Sequence, residues 1–382
     1  MAVAASYADD GRLSPLSTPS ATRAVLEAHG IGTKYTLGQN FLVNDDVLKK
    51  IIALADVGSA DRILEVGPGI GTLTIALLKH AAAVVAVERD PDLPAVLADT
   101  LYPWREKFAL IEKDALDVTA DDIASAMVEL GADTGCPDRA SSAANETARR
   151  AVSPSEDCLS ESGCPASAPQ GDLQQCLPNK LVSNLPYAVA ATVVLDYFQQ
   201  FPFLESATVM VQKEVADRMA AERGTKNYGA YTVKLGLYAE VAGRFAVGPG
   251  NFFPPPRVDS AVIRLNRRTP VTADGVPAAP AVIAAACLMA DAAFANRRKT
   301  LANSCKTYFS GRGTFALPGG LGKEGAAGAP DDAAAALHFD GAAIAAQLPA
   351  LLEAAGIDPK RRGETLDQQE FLTLGASLLA QA

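Results

Sequence analysis

No stretch of this 382-residue chain is apolar over anything near the ~20 residues a bilayer span needs; runs such as 84–87 and 281–286 are far too short. The N-terminal stretch carries Asp9 and Asp10 and no long apolar core, so it does not read as a secretory signal, and a cytoplasmic protein without a membrane segment is expected. Paired cysteines are missing too. Cys136, Cys158, Cys164, Cys176, Cys287 and Cys305 form no C-x-x-C, and the four within 136–176 have irregular gaps and no nearby histidine. Structural zinc asks for tightly spaced ligand pairs, so no metal is expected and the thiols read as reduced. An excess of positive charge is also absent: 34 Lys and Arg stand against 44 Asp and Glu, a net charge of −10, which excludes a surface that coats nucleic acid everywhere.

Hydrophobic residues make up 49% of the chain, enough for a substantial core, and the length suits two domains. The positive charges that do occur are grouped: Arg257, Arg264, Arg267 and Arg268; Arg297, Arg298 and Lys299; Lys360, Arg361 and Arg362. Such groups can give an acidic protein a local face for phosphates.

Residues 1–30 read as a polar, Ser/Pro-containing extension with one short helix. From 38 to about 128, strand-like segments at 62–66, 84–88 and 108–112 alternate with helix-like ones, notably 72–79, which predicts a parallel α/β sheet. Residues 131–178 are rich in Ser, Ala, Pro, Asp and Glu without apolar periodicity and predict a flexible insertion. The pattern resumes with a strand at 180–183, a helix at 189–200, a strand at 207–212 and a helix at 215–221; an antiparallel pair at 232–241 and 258–265 closes the sheet. After a Pro/Ala-rich linker at 270–280, helices are predicted at 282–295, 342–355 and 367–379, with a Gly-rich flexible loop over 311–335.

The first strand runs into Gly67-Pro68-Gly69-Ile70-Gly71 and a helix. Glycines there let the backbone approach a ligand with no Cβ in the way, and the helix N-terminus favours polar or anionic groups. A dinucleotide fold would show G-x-G-x-x-G; here the spacing is G-x-G-x-G, with Thr72 next and the acidic Glu65 at the strand end, as is typical of methyltransferases. Glu88 ends the second strand 21 positions beyond Gly67, where a carboxylate can accept from both hydroxyls of a ribose. Asp114 follows the third strand and can accept from an adenine amine. Three such groups at the carboxyl ends of consecutive strands make a coherent crevice for a nucleoside-bearing cofactor.

Asn184-Leu185-Pro186-Tyr187 follows the fourth strand. An exocyclic adenine amine is a poor nucleophile, because its lone pair is delocalised into the ring. Acceptors around its N–H bonds, the Asn184 side-chain oxygen and the Leu185 carbonyl, favour pyramidalisation and turn the lone pair toward a methyl donor. Pro186 has no N–H and a fixed φ, which aims that carbonyl. Tyr187 offers a ring on which a flipped base stacks, worth ~1–3 kcal/mol. No strong base is required: the donor's sulfonium charge disappears on transfer, and positioning supplies much of the rate.

With these motifs the chain resembles the ribosomal RNA adenine N6,N6-dimethyltransferase family, most closely its bacterial small-subunit branch. Between about residues 34 and 302, and in the family's order, the resemblance is carried by Gly38-Gln39-Asn40-Phe41-Leu42, the 67–71 turn, Glu88, Asp114, Asn184-Leu185-Pro186-Tyr187, Gln212-Lys213-Glu214-Val215-Ala216, Phe253-Pro254-Pro255-Pro256-Arg257-Val258-Asp259-Ser260 and Arg297-Arg298-Lys299-Thr300-Leu301. It implies an α/β fold: a Rossmann-like, seven-stranded S-adenosylmethionine-dependent methyltransferase domain over 31–268, and a small C-terminal all-helical domain over 281–382 that positions RNA. It implies cofactor contacts from Asn40, Leu42, Gly67, Glu88, Asp114 and Asn184, and a catalytic pocket from Asn184, Leu185, Pro186, Tyr187 and one ring of the Phe252-Phe253 pair. Motif alignment favours Phe252. Lys213, Arg257, Arg297, Arg298 and Lys299 would meet RNA phosphate. The implied substrate is a pair of adjacent adenosines in a 3′-terminal hairpin of small-subunit RNA, dimethylated within the assembling small subunit by a monomer.

Two departures stand out. The 131–178 insertion replaces what is usually a short connection, and its seven acidic residues outnumber its three arginines. The Gly-rich 311–328 stretch interrupts the helical domain. Two other functions remain open on these residues: a related resistance-type methyltransferase of large-subunit RNA, and a non-catalytic assembly factor on the same fold. The leucine of the Asn184 motif and the long C-terminal helical domain favour the small-subunit enzyme, while intact Asn184, Tyr187, Glu88 and Asp114 argue for catalysis. A DNA adenine methyltransferase would more usually show Asp/Asn-Pro-Pro-Tyr, which is absent.

Overall fold

The computed structural model describes residues 11–32, 39–131, 176–317 and 337–381. Gly38, nearly all of the 131–178 insertion and residues 318–335 of the expected loop lie outside the described residues.

Helix α1 (Pro19–Ala28) precedes a two-residue strand β1 (Phe41–Leu42) and helix α2 (Asp45–Ala55). The alternation then runs β2 (Arg62–Val66), α3 (Thr72–Leu78), β3 (Ala83–Glu88), α4 (Leu93–Thr100), β4 (Phe108–Glu112), α5 (Ala120–Glu129), β5 (Lys180–Asn184), α6 (Ala190–Gln200) and β6 (Ser206–Gln212). Helices α7 (Lys213–Met219) and α8 (Ala230–Gly236) lead to β7 (Ala239–Val247), β8 (Phe252–Phe253) and β9 (Ser260–Arg267). Helices α9 (Pro280–Phe294) and α10 (Leu301–Ser310), strands β10 (Thr314–Leu317) and β11 (Leu337–Asp340), and helices α11 (Gly341–Ala354) and α12 (Gln368–Leu379) complete the chain.

Seven strands make one sheet in the order β4-β3-β2-β5-β6-β9-β7. The first five are parallel; β9 runs antiparallel to β6, and β7 antiparallel to β9. Covered on both faces, β2 and β3 are apolar almost throughout, as parallel strands must be. Their alternate side chains feed two cores: Leu64, Val66, Val85 and Val87 on one face, Ile63 and Val84 on the other. The strand order reverses at β2, whose neighbours are β3 and β5. In open α/β sheets the crevice outside the carboxyl ends at such a reversal is where ligands bind.

Local signals explain most element boundaries. Asn44 caps α2 by accepting from the N–H groups of Asp46 and Val47, and Val47, Leu48, Ile51, Ile52 and Ala55 form its buried stripe. Thr119 and Asp122 close a reciprocal capping box on α5. One expectation fails outright: 232–237, expected as strand, lies largely in helix α8, and the strand begins only at Ala239. Its β-branched, alternating residues suggest a strand, but α8 packs among the C-terminal helices, where a Cβ on Gly236 would lie 2.5 Å from Gln368 of α12. Tertiary packing overrides the local preference.

The C-terminal helices share the core of the sheet face that carries α5 and α6. Among them lies the antiparallel pair β10–β11, placed partly where a flexible loop was expected. It is pinned by Phe339, which is buried, and by Phe315, stacked between Phe309 and Phe339. Cys287 and Cys305 are free and buried, but Cys176 is disulfide-bonded, which corrects the expectation that every thiol is reduced.

Helices α9 and α12 meet at a glycine. A Cβ on Gly375 would lie 2.6 Å from both the Ala286 nitrogen and the Val282 carbonyl oxygen, so the helices must separate to admit it. Alanine gains ~1 kcal/mol of helix propensity over glycine, but against backbone this close the overpacking dominates. Gly375→Ala is expected to lower stability by about 1–3 kcal/mol in urea unfolding, with methyl transfer unchanged at low temperature.

Candidate active site

Beyond the carboxyl ends of β2 to β6 lies a cavity of about 490 Å³, which Gln39, Asn40, Phe41 and Leu42 help to line. Its floor is the turn after β2. Gly67 and Gly69 have φ of 70° and 59°, a left-handed conformation that costs other residues energy. Space is short at Gly69, where a Cβ would sit 3.1 Å from the Phe41 ring, while one on Gly67 would only touch Pro186 at 3.4 Å. The turn therefore packs directly under the loop after β5.

Three carboxylates face the cavity in different states. Glu88 is buried, and its Oε1 accepts from the backbone N–H groups of Arg89 and Asp90, both at 2.9 Å. Burial pushes its pKa up, and those donors hold the rise back. In Asp114, Oδ1 accepts from the Leu116 N–H at 3.0 Å and Oδ2 from the Arg89 guanidinium at 2.8 Å; the backbone donor first, then the arginine, hold this carboxyl below its usual range. Glu65, at the end of β2, is 1% exposed, and its Oε2 has no hydrogen bond of normal geometry among the described residues. Burial pushes its pKa up to about 8, with Thr74 giving partial relief and the charge of Glu88 adding to the rise.

The loop after β5 is held from three sides. The Asn184 Nδ2 donates to the Asn40 carbonyl at 3.2 Å, which commits the amide nitrogen and leaves Oδ1 as the outward acceptor. The Leu185 N–H donates to Met210 of β6 at 3.1 Å. The Tyr187 hydroxyl lies 2.6 Å from that of Ser260, a fully buried residue at the start of β9, so the ring stands half-buried at the cavity wall.

Asn40, Leu42, Gly67, Glu88, Asp114, Asn184, Leu185, Pro186 and Tyr187, all singled out from sequence, line this one cavity. Phe252, the ring favoured by motif alignment, does not. It is 3% exposed and packs in the core, because β8 pairs with β1 in the register Leu42↔Phe252 and Phe41↔Phe253. Phe253 remains partly exposed, with the Arg23 guanidinium 5.3 Å from its ring centre. Gln39, Arg89 and Gln212 also line the cavity without having been assigned a role. Gln39 and Gln212 sit inside quoted motifs, and Arg89 directly follows Glu88, so position along the chain could have found them.

The basic groups divide. Arg264 donates to the Leu54 carbonyl and Arg267 to those of Phe198, Phe201 and Leu204, so both serve the fold rather than a phosphate face. Arg361 is paired with Glu370. Lys213 pairs with Asp217 at 2.7 Å, and Arg297 with Glu364 at 3.2 Å, though both keep exposed surface. Arg257, Arg298 and Lys299 are exposed.

Known proteins resemble this chain in sequence and fold. The family described as "Ribosomal RNA adenine dimethylase" matches residues 32–318. The "Ribosomal RNA small subunit methyltransferase A" of Staphylococcus aureus strain Newman is 33% identical over 361 residues, 94% of each chain. Two solved structures share the fold. A dimethyladenosine transferase from Plasmodium falciparum has a TM-score of 0.54 at 20% identity, over 87% of this chain and 95% of that one. The 23S rRNA methyltransferase ErmE has a TM-score of 0.50 at 19% identity, over 89% and 99%. The motif resemblance is thus borne out over nearly the whole length: the chain belongs to the ribosomal RNA adenine dimethylase family.

Proposed function

We propose that this protein dimethylates the N6 amines of two adjacent adenosines in a 3′-terminal hairpin of small-subunit ribosomal RNA, in the cytoplasm and as a monomer acting on the assembling small subunit. The observation that carries the reading is the convergence of the glycine turn, Glu88, Asp114 and the Asn184 loop on one cavity. The small-subunit substrate is supported by the similarity to the staphylococcal methyltransferase along 94% of the chain.

The residues present suit S-adenosylmethionine. The turn has glycine at both positive-φ positions, 67 and 69, Glu88 offers a buried carboxylate to ribose hydroxyls, and the unsatisfied Oε2 of Glu65 suits a cationic donor. Asn40, Leu42, Gly67, Glu88, Asp114 and Asn184 would hold it. When bound, it supplies an electrophilic methyl group on a positively charged sulfur.

This chain's part is recognition and aim. The Asn184 oxygen and the Leu185 carbonyl accept the two N–H bonds of the target amine, and Tyr187 stacks on the extruded base. The Asn40 carbonyl keeps the Asn184 amide from flipping. Arg257, Arg298 and Lys299, with Lys213 and Arg297 once their acidic partners yield, meet RNA phosphate. Phe252 supports from behind, holding β8 against β1. Loop or single-stranded RNA is the easier substrate, since extruding its base costs less stacking.

Label transfer from S-adenosylmethionine to unmodified small subunits, with large subunits in parallel, tests this. N6,N6-dimethyladenosine is expected in small-subunit RNA alone. Label in large-subunit RNA would assign the protein to the resistance branch, and cofactor binding without any transfer would leave an assembly factor.

A further inference from the structure

From Arg12 to Ala28 the chain is docked too firmly to be a loose extension. One carboxylate oxygen, Asp45 Oδ1, accepts from the N–H groups of Leu13 and Ser14 at 2.9 and 3.2 Å and from the Ser17 hydroxyl at 3.2 Å. Lys79 donates to the Arg12 carbonyl at 2.8 Å. Leu16, Val25 and Leu26 are buried in the core beneath the active-site turn. The docking sets α1 against β8 and brings its exposed Arg23 over Phe253, 5.3 Å from the ring centre. Among the described residues Arg23 has no acidic partner within ion-pair distance.

Phe253 is placed just as specifically. In the β1–β8 ladder it stands opposite Phe41, and paired residues share a face. Phe41 lines the active-site cavity. Phe253 packs at the edge of the core that holds Phe41 and stays partly exposed, while its neighbour Phe252 is spent on the core. The rim carries a partly exposed aromatic ring with a guanidinium over it and the exposed Arg257 four residues on.

We infer that Arg23 and Phe253 form a second nucleotide platform, which takes the base and phosphate flanking the extruded adenosine in single-stranded or loop RNA. The inference rests on the RNA-adenine reading above. Extruding one adenosine unstacks its neighbour, and an aromatic ring at the rim restores a stacking partner for any base, because every base has a π-face. The guanidinium extends the stack and carries a charge for the adjoining phosphate. The platform therefore acts on RNA affinity and leaves the methyl-transfer geometry to the Asn184 loop.

The test uses the full chain and a hairpin RNA with 2-aminopurine beside the target adenosine. Phe253→Leu keeps apolar bulk and removes the stack; Arg23→Gln, at an exposed position, leaves folding undisturbed. Phe253→Leu is expected to abolish the fluorescence quench on binding and to raise Kd and KM for RNA about 5- to 100-fold, with kcat nearly unchanged. Arg23→Gln is expected to weaken binding by a smaller factor and flatten its salt dependence, and Arg23→Lys to restore the salt dependence. Calorimetric binding of S-adenosylmethionine should be the same in all. Variants that bind, quench and saturate like the wild type would overturn the platform while the function stands. A wild-type protein that methylates no RNA would overturn the function itself.

Discussion

Asn184→Ala is expected to lower kcat for methyl transfer by about 10²- to 10³-fold, the usual cost of losing one preorganised polar group that acts on the reacting atoms. Asn184 can orient the amine only because its own amide is oriented: Nδ2 is committed to the Asn40 carbonyl, which leaves Oδ1 as the acceptor. Alanine removes both bonds and leaves water to replace a fixed acceptor. Because the backbone at 184 is held within β5, paired to β6, the variant should fold normally and its RNA affinity should change little. Asn184→Asp separates the two roles, since it keeps an acceptor, loses the donor to Asn40 and adds a charge. It should retain less than a tenth of the wild-type rate but more than alanine. Single-turnover transfer to hairpin RNA reads these differences, and an alanine variant within fivefold of wild type would remove Asn184 from the chemistry.

The chemistry was more legible in the sequence than the fold. Glu88, Asp114 and Asn184 announce themselves because each stands at or just past the end of a short strand-like run, and the carboxyl ends of parallel strands open onto the crevice. Strands β2 and β4 could be bounded to the residue for the same reason. Non-local pairing was not readable. The two-residue strands β1 and β8 exist only because they find each other across more than 200 positions, and β10 with β11 bracket a Gly-rich stretch that hides both. The two adjacent rings of the motif look alike in sequence, and only their packing separates them: Phe252 lies in the core and Phe253 stays partly exposed. Helix α10 escaped notice although its cap, Thr300 accepting from the Asn303 N–H, was in plain view beside the basic motif. The charge clusters misled in the opposite direction, because adjacency in sequence says nothing about whether Arg264 and Arg267 turn inward to carbonyls.

Glu65 should make the stability of the free protein fall as pH rises from about 5 to 8, a window set by its folded pKa of about 8 and the ordinary glutamate value of 4.5 that it regains on unfolding. Within that window the folded chain keeps a proton on Glu65 that the unfolded chain has already lost, so each step up in pH favours unfolding. Below the unfolded value both states are protonated, above about 8 both are ionised, and the dependence from this group stops. Glu88, raised by burial as well, contributes with the same sign. A shift of this size corresponds to a few kcal/mol, ~1.4 per pH unit, so it should be visible in thermal or urea unfolding between pH 5 and 8. Glu65→Gln should flatten the slope and be the more stable form at pH 8. The same carboxyl couples to ligand: a cofactor bearing positive charge favours the ionised form, so binding near pH 7 should release a proton, read by calorimetry in buffers of different ionisation enthalpy. Identical pH profiles for wild type and Glu65→Gln, with no proton released, would show that Glu65 is already ionised in the free protein, and its buried Oε2 would then need a donor from elsewhere.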